Sequence, residues 1–599
     1  MAKELLKREE VKVENTWKTE DLYASVDAWE KDLKESEEIC GKMICLEGKV
    51  GDSAENLFQI IDAYVQATQK MDQAYNYAQR LFDQDHKNAK HQAMSAKVMS
   101  LIAKLESEIA FMEPEIVAID EETLKKHYQA KPELERYRLF IDEVRRLKDH
   151  CLSAELEKLL AQTTEIRQVA EDAFSALNNA DLAFPEVLDE KGENVRITHG
   201  RYGKLMESSD RRVRKETFQK LYSVYKQFNN TLASLYSGQV KSLTFCARAR
   251  KYDSALVAAV DKNNVSPEVY HNLVNVVDEH LDLLHRYVKL RKKFLGLDEM
   301  HMYDVYVPMV DGVAKEISFE EAKETILKAL APLGEEYLAR LRDGFSNRWI
   351  DVYENEGKRS GAYSSCAYGI HPFVLMNYNG TLDSMFTLAH EMGHALHSCY
   401  SNENQPFIYS DYKIFVAEVA STTNEILLVE YLLKNTSDPK ERAYLLNHYL
   451  DSFKSTMFRQ TQFAEFEMKA TEMSENGESL TTATLNQLYY DLNKKYYGPD
   501  VVSDEEIQYE WSRIPHFYYN FYVYQYATSF AASVAIAKAI LSEGEPAVER
   551  YKKFLSGGCS KSPVELLKIA GVNMETPAPI EAALKAFEGI LAELEGLRR

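Results

Sequence analysis

Apolar side chains recur three and four residues apart along most of the 599-residue chain, the spacing of one buried helix face. From Ala54 to Phe111 the pattern is long, with Ile60, Ile61 and Tyr64 and then Leu101, Ile102 and Leu105 on core faces. Glycine and proline are almost absent there, so a helical hairpin is predicted. Ahead of it Trp17, Leu22 and Tyr23 read as an anchor, and the first helix is expected to start near Ser25. Another helical run covers about 121–180, after Pro114. Further on, Ser266-Pro267-Glu268 supplies an N-cap with proline at the first helical position, and Ser318 with Glu321 forms a capping box. Helices dominate again from Ser410 to the C-terminus.

The helical period breaks twice. Phe184–Leu188 and Val195–Thr198 flank Lys191-Gly192, the pattern of a small hairpin. The domain boundary is placed there, giving an N-terminal helical domain over 1–190 and a catalytic domain over 191–599. Residues 349–378 form the second break, where short aromatic and β-branched stretches alternate with glycine and proline and predict a small sheet. A strand at Gly361, Ala362 and Tyr363 can pair with an extended peptide through backbone hydrogen bonds, and Gly361 lets that backbone come close. The fold class is therefore mainly α, with a small sheet leading into the next helix.

That helix carries the chemistry. Asn379-Gly380 reads as a turn, Thr381 as the N-cap and Asp383 as first-turn charge, and His390-Glu391-Met392-Gly393-His394 follows. Residues four apart share a helix face, so His390 and His394 can aim at one point and bind zinc. Glu391, one residue along, lies beside that face, where a general base reaches a metal-bound water without coordinating the ion. With 15 histidines and at most 94 glutamates, random placement yields roughly 0.06 such matches in the chain.

A catalytic zinc site needs a third protein ligand. The next helix, expected from Ser410 or Asp411, offers Glu418, Glu425 and Glu430. Glu418 sits in the apolar run Phe415-Val416-Ala417-Glu418-Val419-Ala420, on a face that reads as buried, where a carboxylate needs a partner. Glu425, seven residues on, shares nearly the same face and can hydrogen-bond a ligand histidine.

Charge and cysteine usage narrow the setting. A formal net charge of -22 argues against nucleic acid and anionic membrane surfaces as partners. The seven cysteines are scattered, with no Cys-x-x-Cys pair, as expected of free thiols in a reducing compartment. The charged N-terminus lacks a signal-peptide core, and no apolar run approaches the ~20 residues of a membrane span. A soluble cytoplasmic protein is expected.

Several segments together resemble oligoendopeptidase F, a branch of the thimet-oligopeptidase-like zinc peptidases. They are Gly361-Ala362-Tyr363-Ser364, His371-Pro372, Asn377-Tyr378-Asn379, the run Phe386–Ser398, and Ala417–Ser421. Asp304–Pro308, Gly200–Lys204 and Trp17…Asp21-Leu22-Tyr23 extend the resemblance over nearly the whole chain. It implies His390, His394 and Glu418 as ligands of one Zn2+ per chain, Glu391 as base, and a helical ellipsoid cleft by a deep substrate channel that residues 1–190 cover. It also implies a histidine and tyrosines that bind substrate and polarise the scissile carbonyl. The matching segment is Ile514–Ala527, where His516, Tyr519, Tyr522 and Tyr526 are the candidates and Tyr526 is preferred. The segment lacks the glycine pair that thimet-type relatives carry before their tyrosines. Tyr519, Tyr522 and Tyr526 are expected to share a helical face, and a phenol is a suitable neutral donor to an oxyanion. The expected function is endopeptidase cleavage of short oligopeptides. An end-trimming peptidase and a peptide-binding protein that does not cut are the alternatives.

Overall fold

The computed structural model describes residues 5–310 and 316–597. Helices account for most of them, and the few strands are two or three residues long. The chain packs as two compact units, each discontinuous in sequence. One joins Met1–Ala154 to Lys315–Leu428 and Ala539–Ser562. The other joins Glu155–Ala314 to Val429–Lys538 and Pro563–Arg599.

In the first unit the helices start where the sequence says they should. Ser25 caps Val26–Ile44 by accepting from the Ala28 amide, and Ser53 caps Ala54–Gln84 through Asn56. The expected hairpin is Ala54–Gln84 followed by Ala89–Glu108. Leu57, Ile60 and Ile61 are fully buried in one cluster with Ile116, Leu134 and Ile141. A second cluster holds the anchor Trp17, Leu22 and Tyr23, with Ala74 and Ala78 of the hairpin and Phe373 and Leu375 of the sheet. Trp17 meets Tyr363 and Phe373 at ring centroid distances of 6.3 and 6.2 Å. Burying each such large side chain contributes about 1.5–3 kcal/mol.

That shared core explains why the units are drawn along different lines from the 1–190 and 191–599 division. Residues 1–154 close their hydrophobic faces against the sheet and helices of 315–428. The sheet itself has Phe373–Leu375 in the middle, parallel to Ile350–Asp351 and antiparallel to Tyr363–Ser365. Beyond Ile350–Asp351 the amide of Val352 donates to Asn15 O at 3.0 Å, so the N-terminal chain covers that side. Tyr363–Ser365 forms the other edge.

The second unit contains the expected hairpin, Glu186–Leu188 against Asn194–Arg196, turned through Gly192 at φ +80°. Helix Pro267–Glu279 is capped by Ser266. At its centre, helices Asn229–Ala249 and Arg459–Glu475 share an aromatic core, with Tyr236 stacked on Phe466 at 5.9 Å. Among the described residues no helix is long and apolar enough to cross a membrane, and none of the seven cysteines is in a disulfide.

Candidate active site

Helix Leu382–Asn404 begins as expected, with Thr381 accepting from the Ser384 amide at 3.1 Å and Asp383 in the first turn. Its neighbour starts later than expected. A short turn at Phe407–Ser410 is followed by non-helical Asp411–Lys413, and the helix runs Ile414–Asn435. The break follows from local bonding, since Asp411 Oδ1 accepts from the Tyr412 amide at 2.8 Å and holds the chain extended there.

The two helices approach closely enough that their side chains share one point. His390 Nε2 and His394 Nε2 lie 3.3 and 3.4 Å from Glu418 Oε2. One donor atom from each of the three residues lies within 4.8 Å of the others. Glu425 Oε1 is 3.1 Å from His390 Nδ1, on the far side of the ring. With the ring proton on Nδ1 and directed at Glu425, Nε2 keeps its lone pair for the shared point. Two imidazole nitrogens and one carboxylate oxygen suit a divalent metal ion, and Glu425 contacts the opposite ring nitrogen of one of them. Glu430, the remaining acidic candidate, is not in this group and instead feels Lys538 and Glu593. His397 also lies outside it. It is buried, stacked on Tyr412 at 3.7 Å, and pushed down by burial to about 3.

The site is electrostatically tense. Burial raises the Glu418 carboxyl, but when the imidazoles carry protons on Nε2, unlike the ring state that would bind an ion, their hydrogen bonds outweigh burial and hold the group well below the usual carboxylate range. Burial pulls His390 down, and Glu425 and Glu418 more than reverse that. Glu391 is 7 % exposed, and burial raises its pKa against the opposing pull of His390 and His394. A base so shifted binds a proton more readily than a surface glutamate.

What lets the helices touch is Gly393. A Cβ there would stand 2.6 Å from Ser421 Cα and 2.8 Å from Ala420 O, a clash with backbone that nothing local can relieve. Buried Asn424 then ties the pair, donating to Ala389 O at 3.1 Å and accepting from Tyr337 Oη at 3.0 Å. Neither residue was picked out from the sequence. The signal for the first is a glycine in mid-helix, which costs about 1 kcal/mol against alanine and so calls for a packing reason.

Of Gly361, Ala362 and Tyr363, only Tyr363 belongs to the sheet's edge strand, Tyr363–Ser365; Gly361 and Ala362 form the bend that leads into it. Gly361 has φ +85°, open space around it, and a carbonyl that accepts from Asn377 Nδ2 at 2.8 Å. The Tyr363 hydroxyl donates to Asp83 at 2.6 Å, and Ser365 Oγ donates to Asn76 at 2.7 Å. Both partners come from the Ala54–Gln84 helix, which thus braces the strand from behind.

In the second unit, the segment 514–526 differs from its expected form. Tyr519, Tyr522 and Tyr526 do not share a helix face, because a single turn at Pro515–Tyr518 stops and the helix resumes only at Tyr524. Between them Asn520 and Phe521 both adopt left-handed backbone, at φ +58° and +57°. The candidates nevertheless assemble. Around His516 the rings of Tyr519, Tyr522 and Tyr526 lie at 5.6, 6.0 and 5.9 Å, and Tyr526 Oη is 3.5 Å from His516 Nε2. Phe517, Tyr518, Phe521 and Tyr524 are buried core, whereas Tyr519 is 46 % exposed and Tyr522 and Tyr526 are half-buried. Burial lowers the His516 pKa, which keeps the ring neutral near pH 7.

A sequence profile of Peptidase family M3 matches residues 204–586, and one described as Oligopeptidase F matches residues 115–184. The chain belongs to peptidase family M3. Among its relatives, Oligopeptidase PepF of Bacillus subtilis (strain 168) is 48% identical over 596 residues, covering 100% of this chain and 89% of that one. Group B oligopeptidase PepB of Streptococcus agalactiae serotype III (strain NEM316) is 43% identical and covers 98% of each chain. The crystal structure of oligoendopeptidase-F from Enterococcus faecium aligns with a TM-score of 0.76 at 42% identity, over 95% of this chain and 98% of that one. This M3 member is a metallopeptidase of mainly α fold, and His390, His394 and Glu418 are its converging donor set.

Proposed function

We propose that the chain is a zinc-dependent endopeptidase that hydrolyses internal bonds of short, unstructured oligopeptides, with one Zn2+ held by His390, His394 and Glu418. The observation that carries this is the meeting of three donor atoms next to a buried Glu391 on the same helix as the two histidines. When bound, the ion supplies Lewis acidity, lowering the pKa of a water and polarising the scissile carbonyl. Glu391 accepts the proton that the attacking water loses, and afterwards hands it to the leaving amine. Glu425 holds the His390 ring in place through Nδ1.

An extended substrate adds a strand to the edge formed by Tyr363–Ser365, where Gly361 and Ala362 admit a second backbone. Neutral His516 and a tyrosine, with Tyr526 preferred, donate to the oxygen that gains charge in the tetrahedral intermediate. Residues 1–190 limit access, so extended peptides enter and folded proteins do not. Seven cysteines outside any disulfide and strong negative charge support a cytoplasmic, reducing setting with neither nucleic acid nor membrane as a partner.

Mass spectrometry of the products from a mixed peptide library tests the reading. Internal cuts should disappear with chelator and return with zinc. Release of terminal residues alone would instead make the enzyme an end-trimmer.

A further inference from the structure

The second unit contains a buried acid that the reaction above does not use. Glu467 lies on helix Arg459–Glu475 and is 2 % exposed. Its Oε1 accepts from the Phe521 amide at 2.7 Å, while Oε2 is buried without a protein partner among the described residues. Phe521 is the second of the two consecutive left-handed residues. A bulky side chain rarely adopts that backbone, and two such residues in succession persist only where surrounding contacts over-determine them.

Three such contacts are present. Glu467 holds the amide of Phe521. The Phe521 ring is buried edge-on against Tyr270 at 5.8 Å. From helix Asn229–Ala249, Gln239 Nε2 donates to Tyr518 O at 3.1 Å and to Asn520 Oδ1 at 3.0 Å. The left-handed pair stands between Tyr519 and Tyr522, and the turn it makes returns the chain so that His516, Tyr519, Tyr522 and Tyr526 meet. Relaxing either residue to ordinary backbone would redirect everything on one side of the turn.

We propose that Glu467, together with Gln239, is a positioning residue for peptide hydrolysis, clamping the left-handed Asn520-Phe521 turn and so fixing His516 and the three tyrosines as one array. This rests on the reading that the array donates to the oxyanion. The buried phenols of Tyr236 and Tyr270 neighbour the carboxyl, and burial pushes it up to about 8, so it is a neutral acid near pH 7. A glutamine, also neutral and bearing a carbonyl oxygen, should therefore replace it.

The test is steady-state cleavage of a blocked, internally quenched peptide by the full chain, with bound zinc measured for each variant. Glu467→Ala and Gln239→Met should lower kcat by about 10–100-fold, change KM by less than about threefold and leave zinc unchanged, because the loss is of alignment. Glu467→Gln should stay within about threefold of wild type. If Glu467→Ala does not fold, Gln239→Met and Glu467→Gln still decide the matter. Wild-type kcat in Gln239→Met or Glu467→Ala would overturn the clamp, as would a Glu467→Gln rate as low as that of a folded Glu467→Ala. Tyr526→Phe and His516→Ala are assayed alongside. Should these two remain fully active, the oxyanion reading itself fails and the proposal with it. Should they fall while the clamp variants do not, only the clamp fails.

Discussion

Residues 382–435 and residues 514–526 both bring polar side chains to one place, and they do so on opposite kinds of backbone. The first region is two regular helices whose close approach is set by Gly393 and tied by Asn424. Its polar positions follow helical spacing, with two donors four residues apart on one helix and a donor and its neighbour Glu425 seven apart on the other. The second is a short turn, two left-handed residues and a helix start, in which no period applies. There the geometry belongs to contacts from distant helices, Glu467 and Gln239 among them. A rigid pair of helices suits ligands that must meet an ion within a few tenths of an ångström. A clamped irregular segment suits donors that must reach around a substrate.

The sharpest way to break this contrast is Glu418→Ala. Removing one of three converging donors should strip the metal at ordinary concentrations and abolish turnover, read by metal analysis and peptide assay. Next in size is Tyr526→Phe, which should cut kcat by roughly 100–1000-fold with an unchanged circular dichroism spectrum, by the usual loss of one oxyanion donor. Kinetics of the corresponding Tyr522 and Tyr519 variants complete the series. If all three stay near wild type, the donor is elsewhere, and His516 is the next candidate. Glu425→Ala should weaken metal affinity by roughly 10–100-fold while sparing the fold, since it orients His390 without being a ligand. Metal loss in Glu425→Ala that exceeds the loss in Glu418→Ala would exchange their roles.

The smallest effect concerns the helix contact itself. Gly393→Ala should lower stability by about 1–3 kcal/mol, as the new methyl group forces the helices apart. Thermal denaturation of the apoprotein measures this without interference from metal binding. An unchanged melting temperature would mean that the contact relaxes freely.

The same contrast explains what could be read from the sequence. Ser25, Ser266, Ser318 and Thr381 act locally as helix-start signals, and each marks a helix start in the structure. His390 and His394 were legible from their four-residue spacing, and Glu418 from its apolar neighbours together with the family resemblance, out of three acidic candidates. Gly393 was visible only as an anomaly, since its reason sits on another helix. The tyrosine segment was misread as one helical face because aromatic spacing carries no mark of left-handed backbone at Asn520 and Phe521. Glu467 gave no signal at all, its partner lying 54 residues away in sequence. The division at 190 was drawn from a local break in pattern, whereas the compact units follow a core in which Trp17 meets Phe373.

The central claim is that Glu391, beside the three donors but not one of them, moves the proton. Its direct test is Glu391→Gln, purified, loaded with zinc and assayed on a blocked oligopeptide with metal content measured in the same sample. The account predicts full metal occupancy and nearly complete loss of turnover. More than a few per cent of wild-type activity at full occupancy would contradict it.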